Sequence, residues 1–445
     1  MKKNIFVFYI TLALCFSSCI WPKNEKELPI YKPDVLWTKK IKGCSFLMYP
    51  TQIDNYIYGI SFEKKNNIRS SWLYKLDLND GNIIWESETY ESNYYDPPVV
   101  IKDKIFVYTN LGEILCFDES TGLLLSTLML VSKSDMEIKK VFSESLVNVL
   151  DEYLCFSYKN NNHLNDDGIM RFKLTDIDFS KPPEEIQYIE PDLIWCGKEF
   201  NEKYGIAEYI YTHFAVENGI IYYLSTDFIP EGVFDATLGA IDVSLAKVKW
   251  EKKVKLEGDN SEALKIVGDN LYIIDYYAAC YNKETGEPIW EAIQSEQDLM
   301  IEEYIAGQSN CKCGQFYSNG CLFYTTGEHA DIVISFGCSK ELVTNIKCLD
   351  LEKSIKNKKA TLKWSYMPEG CASLGTRPIV TNGQVFVTAY NCGLYVFEEY
   401  TGKVVGVCKD YYFPGMERNF LYDGKVYFFD YDYENNVRTL VCFKP

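Results

Sequence analysis

Four cysteines lie close together in the chain: Cys311, Cys313, Cys321 and Cys338. Four thiolates can bind zinc, but structural zinc sites usually use two Cys-x-x-Cys pairs, and this spacing does not match them. Cys321 begins the apolar stretch CLFYTT, which predicts a buried thiol in a strand. A local disulfide that uses Cys311 or Cys313 is therefore favoured over zinc, and no metal site is predicted.

Nucleophilic catalysis by serine or cysteine normally needs a histidine base, and the chain has three histidines: His163, His213 and His329. His213 lies in the alternating stretch YTHFAV, which predicts a strand, and the other two lie in predicted loop insertions. The sequence contains no GxSxG, HExxH or glycine-rich phosphate loop. We therefore predict no catalytic residues, no cofactor and no enzymatic activity.

One sequence pattern recurs along the chain, as in LYKLDLNDGNIIWES, ILCFDESTGLLLST and AACYNKETGEPIWEA. Each copy is an apolar run, an acidic or amide residue, a polar turn and a second apolar run. A pair of strands around an Asn-Gly or Asp-Gly turn precedes most copies, and such turns favour hairpins. The repeating unit is therefore predicted to be four strands, A to D.

Two positions of this repeat have characteristic residues. Strand D carries a tryptophan in most units, while Ser126 and Gly406 replace it in two: the tryptophans are Trp85, Trp195, Trp250, Trp290 and Trp364. Strand C carries a small apolar residue, usually cysteine: Cys116, Cys280, Cys348 and Cys442, with Ala240 and Val396 in two units. Equivalent positions in separate units cannot easily approach within disulfide distance, so most of these thiols are expected to be free.

The two termini predict how the repeats are arranged. The last unit, Phe420 to Pro445, has only strands A to C, whereas Val35 to Ile41 is a strand D with Trp37 at the tryptophan position. A ring in which the first segment completes the last blade removes open sheet edges. The fold class predicted is all-β: an eight-bladed β-propeller of four-stranded antiparallel blades, closed by the N-terminal strand.

The Asp-x-x-Thr-Gly turn followed by tryptophan resembles the PQQ-like propeller repeat. This resemblance implies that the tryptophans pack between neighbouring blades as structural residues. Quinone-dependent dehydrogenases with such repeats are described as using a vicinal pair of cysteines, and this chain has no adjacent cysteines. The repeat therefore indicates a fold and does not by itself indicate dehydrogenase activity.

The N-terminus MKKNIFVFYITLALCFSSC has the layout of a secretory signal: two lysines, an apolar run and small residues. FSSC resembles a bacterial lipobox, which predicts lipidation at Cys19. The predicted organisation is a signal peptide (1–18), a linker (19–33) and the propeller (34–445). The predicted location is the bacterial outer membrane, by lipid anchor, in the periplasmic or the surface leaflet.

The charge of the chain limits its partners. The formal net charge is −18, and loss of Lys2 and Lys3 with the signal peptide makes it −20. Nucleic-acid binding depends on positive charge, so no nucleic acid is expected. The acidic body is likewise not expected to spread on an anionic lipid surface.

Long insertions are predicted between strands B and C and between blades, and these loops emerge at the same end of an antiparallel blade. Aromatic side chains on such loops suit a protein or glycan partner, or else they cover their own insertions. The candidate binding residues are Tyr204, Tyr209, Phe228, Phe234, Tyr304, Tyr411, Tyr412 and Phe413.

The order lipobox, short linker, eight blades is similar to that of the propeller lipoprotein of the outer-membrane β-barrel assembly machine. This resemblance implies a scaffold that binds a protein partner in the cell envelope through propeller loops, with barrel-assembly components as candidate partners. Two other hypotheses stay open: a surface-exposed propeller that binds a glycan or host protein, and a quinone-dependent dehydrogenase.

Overall fold

The computed structural model describes residues 28–42, 50–65, 68–90, 97–109, 111–131, 147–158, 168–196, 211–226, 234–256, 264–274, 278–290, 315–328, 343–366, 377–389, 393–411, 419–432 and 437–445. Most of these residues belong to strands. No helix within these ranges is long and apolar enough to cross a membrane.

The described strands form eight sheets, each with four antiparallel strands, A to D from one edge to the other. Blade 1 contains β2 (Thr51–Ile53), β3 (Tyr56–Lys65), β4 (Ile68–Asp77) and β5 (Ile83–Glu86). Blade 2 contains β6 (Val99–Ile101), β7 (Lys104–Tyr108), β8 (Glu113–Asp118) and β9 (Leu124–Leu130). Blade 3 contains β10 (Val147–Val149), β11 (Tyr153–Tyr158), β12 (Gly168–Lys173) and β14 (Asp192–Cys196), and its C–D connection includes β13 (Gln187–Ile189). Blade 4 contains β15 (Tyr211–Glu217), β16 (Ile220–Thr226), β17 (Phe234–Asp242) and β18 (Lys247–Leu256).

The second half of the ring repeats the same order. Blade 5 contains β19 (Leu264–Val267), β20 (Asn270–Ile274), β21 (Ala278–Asn282) and β22 (Pro288–Trp290). Blade 6 contains β23 (Gln315–Ser318), β24 (Cys321–Glu328), β25 (Val343–Asp350) and β26 (Leu362–Tyr366), with helix α1 (Leu351–Asn357) between β25 and β26. Blade 7 contains β27 (Ile379–Thr381), β28 (Gln384–Ala389), β29 (Gly393–Glu398) and β30 (Val404–Cys408). Blade 8 contains β31 (Phe420–Tyr422), β32 (Lys425–Asp432) and β33 (Val437–Lys444), and is completed by β1 (Asp34–Ile41).

The ring is closed by its own first strand, as predicted. β1 runs antiparallel to β33, and Trp37 lies opposite Cys442. Eight clusters of buried apolar residues lie between consecutive blades, and one of them joins blade 8 to blade 1 through Tyr427 and Leu76. Because strands B and C are buried on both sides between neighbours, they read as continuous apolar runs, as in KIFVY of β7.

Tight turns join the strands at one end of the blades, which we call the turn face. The A–B hairpins use left-handed residues, for example Asn382 at φ 51° and Gly383 at φ 73° in blade 7. In blades 1 to 7 the residue after strand C donates a backbone hydrogen bond to the A–B turn, as in Glu399 N–H to Gly383 O at 2.8 Å. The opposite end, where strand B passes to strand C and each blade passes to the next, is called the loop face.

The recurring acidic residue after strand C organises the C–D turn. In blade 2, Asp118 Oδ1 accepts hydrogen bonds from the backbone N–H groups of Ser120 at 3.1 Å and Thr121 at 2.8 Å. Gly122 N–H then donates to Asp118 O at 2.9 Å. The turn therefore needs a side-chain acceptor at its start and a residue with positive φ at its end, where Gly122 has φ 73°.

The strand-D tryptophan of one blade packs on the C–D turn of the next blade. Trp364 of blade 6 donates a hydrogen bond from Nε1 to Glu399 O of blade 7 at 2.9 Å, and its indole lies over Gly402. The same arrangement joins Trp85 to Gly122 and Trp250 to Gly286, and Trp37 lies over Gly81. The tryptophans therefore pack between neighbouring blades, as the repeat implies.

The strand-C cysteines face these tryptophans. Cys116, Cys280, Cys348 and Cys442 are buried and free, and each lies opposite the strand-D position, as in Cys280 opposite Trp290. In blade 5 the ring of Tyr272 on strand B meets Trp290 on strand D at 6.4 Å between centroids. A small residue at the strand-C position lets the two rings approach each other over it.

The two blades without a strand-D tryptophan carry an additional segment at their outer edge. In blade 2, β13 runs parallel to β9, and Gln187 Nε2 donates to Ser126 Oγ at 2.8 Å. In blade 7, Val407 N–H donates to Pro29 O at 2.8 Å, and Tyr31 N–H donates to Val407 O at 3.0 Å. The end of the predicted linker, Leu28–Pro33, thus lies on blade 7.

Candidate functional site

Most of the predicted aromatic binding residues lie outside the described part of the chain: Tyr204, Tyr209, Phe228, Tyr304, Tyr412 and Phe413. Phe234 was assigned to an insertion, but it is the first residue of β17 and pairs with Leu256 of β18. The insertion between β16 and β17 is therefore shorter than predicted, because both strands extend further toward the loop face.

Tyr411 is the one predicted binding residue whose side chain is described. It is partly buried and packs edge-to-face on Phe428 at 5.2 Å between ring centroids. Burial raises its pKa, with Cys408 and Asp410 adding to the shift. This contact is the one expected if Tyr411 covers its own propeller, so partner binding by this residue stays a prediction.

The candidate zinc ligands and histidines are mostly outside the described residues as well. Cys321 is buried at the start of β24, as the stretch CLFYTT predicts. His213 lies in β15 opposite Leu224. Within the described ranges, no group of three or more histidine, cysteine or acidic side chains could hold a metal ion.

A polar cluster joins blades 1 and 2 near the turn face. Lys75 occupies the strand-C position that holds cysteine or alanine elsewhere, and it lies opposite Trp85. It is buried, forms a salt bridge with Glu119 of blade 2, and places Nζ 4.0 Å from the ring centroid of Tyr56. Glu119 also accepts a hydrogen bond from the Tyr58 hydroxyl, and burial raises the pKa of that tyrosine first, with Glu119 adding to the shift.

This cluster is suited to joining two blades rather than to proton transfer. The Lys75 ammonium group is buried, and its partners there are the Glu119 carboxylate and the faces of Tyr56 and Tyr58. The sequence also indicates this cluster: LYKLD has lysine at the strand-C position where LCFD and ACYN have cysteine, and a charged residue at a buried repeat position predicts a partner of opposite charge.

A second polar cluster joins blades 6 and 7. Glu399 is buried, with 3% of the residue's surface exposed. Its Oε1 accepts hydrogen bonds from Asn319 Nδ2 at 2.9 Å and from Ser318 Oγ at 3.2 Å. Nearby, Lys363 Nζ lies 3.8 Å from Cys321 Sγ. The arrangement combines a buried carboxylate, an ammonium group and thiols within one interface.

A third contact, between blades 3 and 4, is centred on Glu251. Its Oε1 accepts hydrogen bonds from Trp195 Nε1 at 2.8 Å and from the Tyr223 hydroxyl at 2.7 Å. Burial raises the pKa of Tyr223, and the hydrogen bond to Glu251 adds to the shift, so the tyrosine stays a donor. The C–D turn of blade 4 has no glycine, and the Glu251 carboxylate accepts the indole hydrogen bond that a backbone carbonyl accepts in blade 7.

Comparison with known proteins supports the fold. Neither a protein-family model nor a curated protein matches the chain. Among solved structures, BamB from Moraxella catarrhalis matches with a TM-score of 0.55 and 10% identity, over 93% of this chain and 98% of BamB. The quinohemoprotein alcohol dehydrogenase from Comamonas testosteroni matches with a TM-score of 0.60 and 11% identity, over 92% of this chain and 76% of the dehydrogenase.

A computationally designed protein, Ika8, is also similar, with a TM-score of 0.53 and 10% identity over 93% of this chain and all of Ika8 (100%). These similarities include BamB, an alcohol dehydrogenase and a computationally designed protein, so they establish the architecture and leave the activity open. The chain is thus an eight-bladed β-propeller with the fold of BamB, as its repeats predict.

Proposed function

We propose that the chain is a non-enzymatic, lipid-anchored scaffold of the bacterial cell envelope. In this proposal it binds a protein partner through the loop face, and outer-membrane protein assembly is its candidate process. The observations that carry the proposal are the similarity to BamB over nearly the whole of both chains and the lack of adjacent cysteines in this chain. A europium-containing methanol dehydrogenase is also matched over 93% of its length, so coverage alone does not separate a scaffold from an enzyme.

The docking of Leu28–Pro33 on blade 7 supports the proposed anchor. Eight residues separate Cys19 from Leu28. Fully extended, eight residues span at most about 30 Å. A lipid on Cys19 would therefore hold blade 7 close to the bilayer, and the hydrogen bonds of Val407 to Pro29 and Tyr31 would transmit the tether to the propeller.

The distribution of contacts supports the loop face as the binding face. On the turn face, the C–D turns of blades 2, 5 and 7 are covered by Trp85, Trp250 and Trp364 of the preceding blades. Those turns are therefore engaged within the ring. The predicted aromatic residues belong to segments that connect strands at the opposite end.

The anchor is tested by labelling the full-length chain with a radioactive fatty acid in an envelope-competent bacterial host. Incorporation that is lost in Cys19→Ser and retained in Cys15→Ser supports the lipoprotein. Equal labelling of the wild type and Cys19→Ser would refute it. Protease treatment of intact cells then distinguishes a surface-exposed propeller from a periplasmic one.

The scaffold role is tested by cross-linked pull-down from solubilised envelopes with the tagged full-length chain. Recovery of barrel-assembly components that is lost in a Tyr412→Ser, Phe413→Ser double variant supports the proposal. The matched control is Leu123→Ser, Leu245→Ser, because both leucines are exposed on the turn face. Equal loss in both variants, or alcohol oxidation after reconstitution with a quinone and calcium, would contradict it.

A further inference from the structure

Two cysteines of blade 6 meet on the same face of the sheet. Cys321 begins β24 and pairs with Asp350, and two residues later Phe323 pairs with Cys348 of β25. Residues two apart on a strand point to the same side, so both thiols face blade 7. There they belong to the buried cluster that contains Trp364 and Phe397.

The two cysteines are diagonal neighbours on this face of the sheet, and a cation lies beside Cys321. The Cys348 thiol donates a hydrogen bond to the Cys321 sulfur. Lys363 places its ammonium nitrogen 3.8 Å from Cys321 Sγ. Lys363 is the residue at which β26 shifts its register against β25, so the bulge directs this side chain toward Cys321.

The groups around Cys321 favour its thiolate. The hydrogen bond from Cys348 lowers the pKa of Cys321 to about 7, and Lys363 lowers it further against the effects of burial, Asp350 and Glu399. Other described cysteines differ, because burial raises the pKa of Cys155 and of Cys280 to about 12. Thiolates, not thiols, react with oxidants, so the sites of oxidation follow this difference.

We propose that Cys321 and Cys348 form an oxidation site that reacts with hydrogen peroxide and closes to a disulfide within blade 6. In the first step the Cys321 thiolate attacks one peroxide oxygen, which gives a sulfenic acid at Cys321 and releases hydroxide. In the second step the Cys348 sulfur attacks the Cys321 sulfur, the S–O bond breaks, and the Cys348 proton leaves with the hydroxyl as water. The peroxide is thus reduced to water while two thiols are oxidised to one disulfide.

The structure also explains why Cys348 can act second. Its pKa is raised, chiefly by its hydrogen bond to Cys321 and then by burial and the Cys321 charge. Formation of the sulfenic acid removes that negative charge, so the barrier to attack by Cys348 falls after the first step. This site goes beyond the proposed scaffold role and does not depend on the lipid anchor or on a partner.

The test uses the reduced full-length chain, treated with hydrogen peroxide at pH 7 and then digested under non-reducing conditions with free thiols blocked. Mass spectrometry is expected to find a peptide cross-linked through Cys321 and Cys348. Cys348→Ala is expected to stop at a sulfenic acid on Cys321, trapped by dimedone, and Cys321→Ser is expected to leave Cys348 unmodified. Alanine already occupies the strand-C position in blade 4, at Ala240, so Cys348→Ala suits the fold.

Two controls separate this site from general thiol oxidation. Lys363→Met is expected to slow the reaction at Cys321 at pH 7 roughly fivefold or more, because loss of a nearby opposite charge raises a thiol pKa by about one unit or more. Lys356→Met, on the exposed side of α1, is expected to leave the rate unchanged. Cys280 has the strand-C position of Cys348 but is hydrogen-bonded to Tyr272, and it is expected to stay reduced.

Three results would each overturn the proposal: no Cys321–Cys348 peptide under conditions that oxidise other cysteines, cross-linking of Cys321 to a different cysteine, or equal rates in the wild type and Lys363→Met. Circular dichroism and the urea midpoint of each variant show whether it is folded. Cys348→Ala also removes the hydrogen bond that lowers the pKa of Cys321, so this variant is treated above its thiol pKa as well as at pH 7. A folded Cys348→Ala variant without sulfenic acid on Cys321 under both conditions would refute the proposed order of steps.

Discussion

The packing of tryptophan on the turn of the next blade can be tested with two glycines of blade 7. Gly402 ends the C–D turn at φ 68°, and Gly383 ends the A–B turn at φ 73°. A Cβ atom added at Gly402 would lie 2.5 Å from Cδ2 of Trp364, whereas one added at Gly383 has no atom within 4 Å. The two positions therefore share their backbone strain and differ in the neighbouring indole.

The expected magnitudes follow from these two contributions. A left-handed alanine costs about 1–2 kcal/mol, so Gly383→Ala should lower the free energy of unfolding by about that amount. Gly402→Ala adds overpacking, which costs about 1–3 kcal/mol, and displacement of the indole also weakens its hydrogen bond to Glu399 O, worth about 1 kcal/mol. We therefore expect Gly402→Ala to cost about 2–6 kcal/mol in total.

The assay is urea unfolding followed by far-ultraviolet circular dichroism, with the midpoint and the slope compared between variants. Both substitutions are then repeated in a Trp364→Ala background. There the additional cost of Gly402→Ala should disappear, because the atom it meets has been removed. Equal costs for the two alanine variants, or an additional cost that persists without Trp364, would refute the reasoning.

Three further predictions concern ring closure, a buried acceptor and the turn aspartates. A chain that begins at Lys42 lacks β1 and exposes the edge of β33, so light scattering should detect association, whereas a chain that begins at Leu28 keeps β1 and the pairing with Val407 and should stay monodisperse. Glu251→Ala leaves Trp195 Nε1 and the Tyr223 hydroxyl without their acceptor, and it should lower the free energy of unfolding in urea by about 2–4 kcal/mol. Glu251→Gln should cost less. The control Glu284→Ala, at an exposed salt bridge, should cost under about 1 kcal/mol. The pKa of Asp118 is lowered chiefly by its hydrogen bond from Ser120, and the pKa of Asp242 is lowered chiefly by the backbone N–H of Leu245. Both carboxylates therefore stabilise the fold above the unfolded-state pKa near 4. This stability is lost as the pH falls through their lower folded-state pKa values. Asp118→Ala should therefore reduce the dependence of the urea midpoint on pH below about 4, and an unchanged dependence would contradict this assignment.

The parts of the fold that could be predicted are those with a local signal repeated many times. The acidic residue, the turn glycine and the tryptophan recur at fixed spacing, so blade number and closure through Trp37 followed from the sequence. Helix α1 also has a local signal that was missed, since Asp350 accepts a hydrogen bond from Lys353 N–H as an N-cap. In contrast, Gln187–Ile189 is three residues long and pairs with a different blade, and no local pattern specifies such a partner.

The candidate sites depend more strongly on the three-dimensional structure. The proximity of Cys321 and Cys348 requires the register of β24 against β25, and twenty-six residues separate the two positions. The position of Lys363 depends on a bulge, which composition does not reveal. The aromatic residues were selected for their type and their predicted loops, and this criterion cannot separate Tyr411, which packs on Phe428, from a residue that faces a partner.

Both strand-D positions without a tryptophan are followed by a blade that lacks a tight C–D turn. Trp85, Trp250 and Trp364 each pack on such a turn, whereas Trp290 precedes blade 6, in which helix α1 lies between strands C and D. After Ser126 the next blade is blade 3, whose C–D connection is the long segment that contains β13. After Gly406 the next blade is blade 8, which has no C–D turn because its strands C and D are the two ends of the chain.

In both exceptions the space is filled by backbone. A Cβ atom at Gly406 would lie 2.9 Å from Pro29 O and from Tyr31 N, so the missing side chain is what allows the N-terminal segment to pair with Val407. Ser126 instead supplies a hydroxyl that accepts a hydrogen bond from Gln187. Serine and glycine at these two positions thus leave room for the segment that pairs there, and glycine at position 406 determines where a tether attached to the N-terminus would reach the ring.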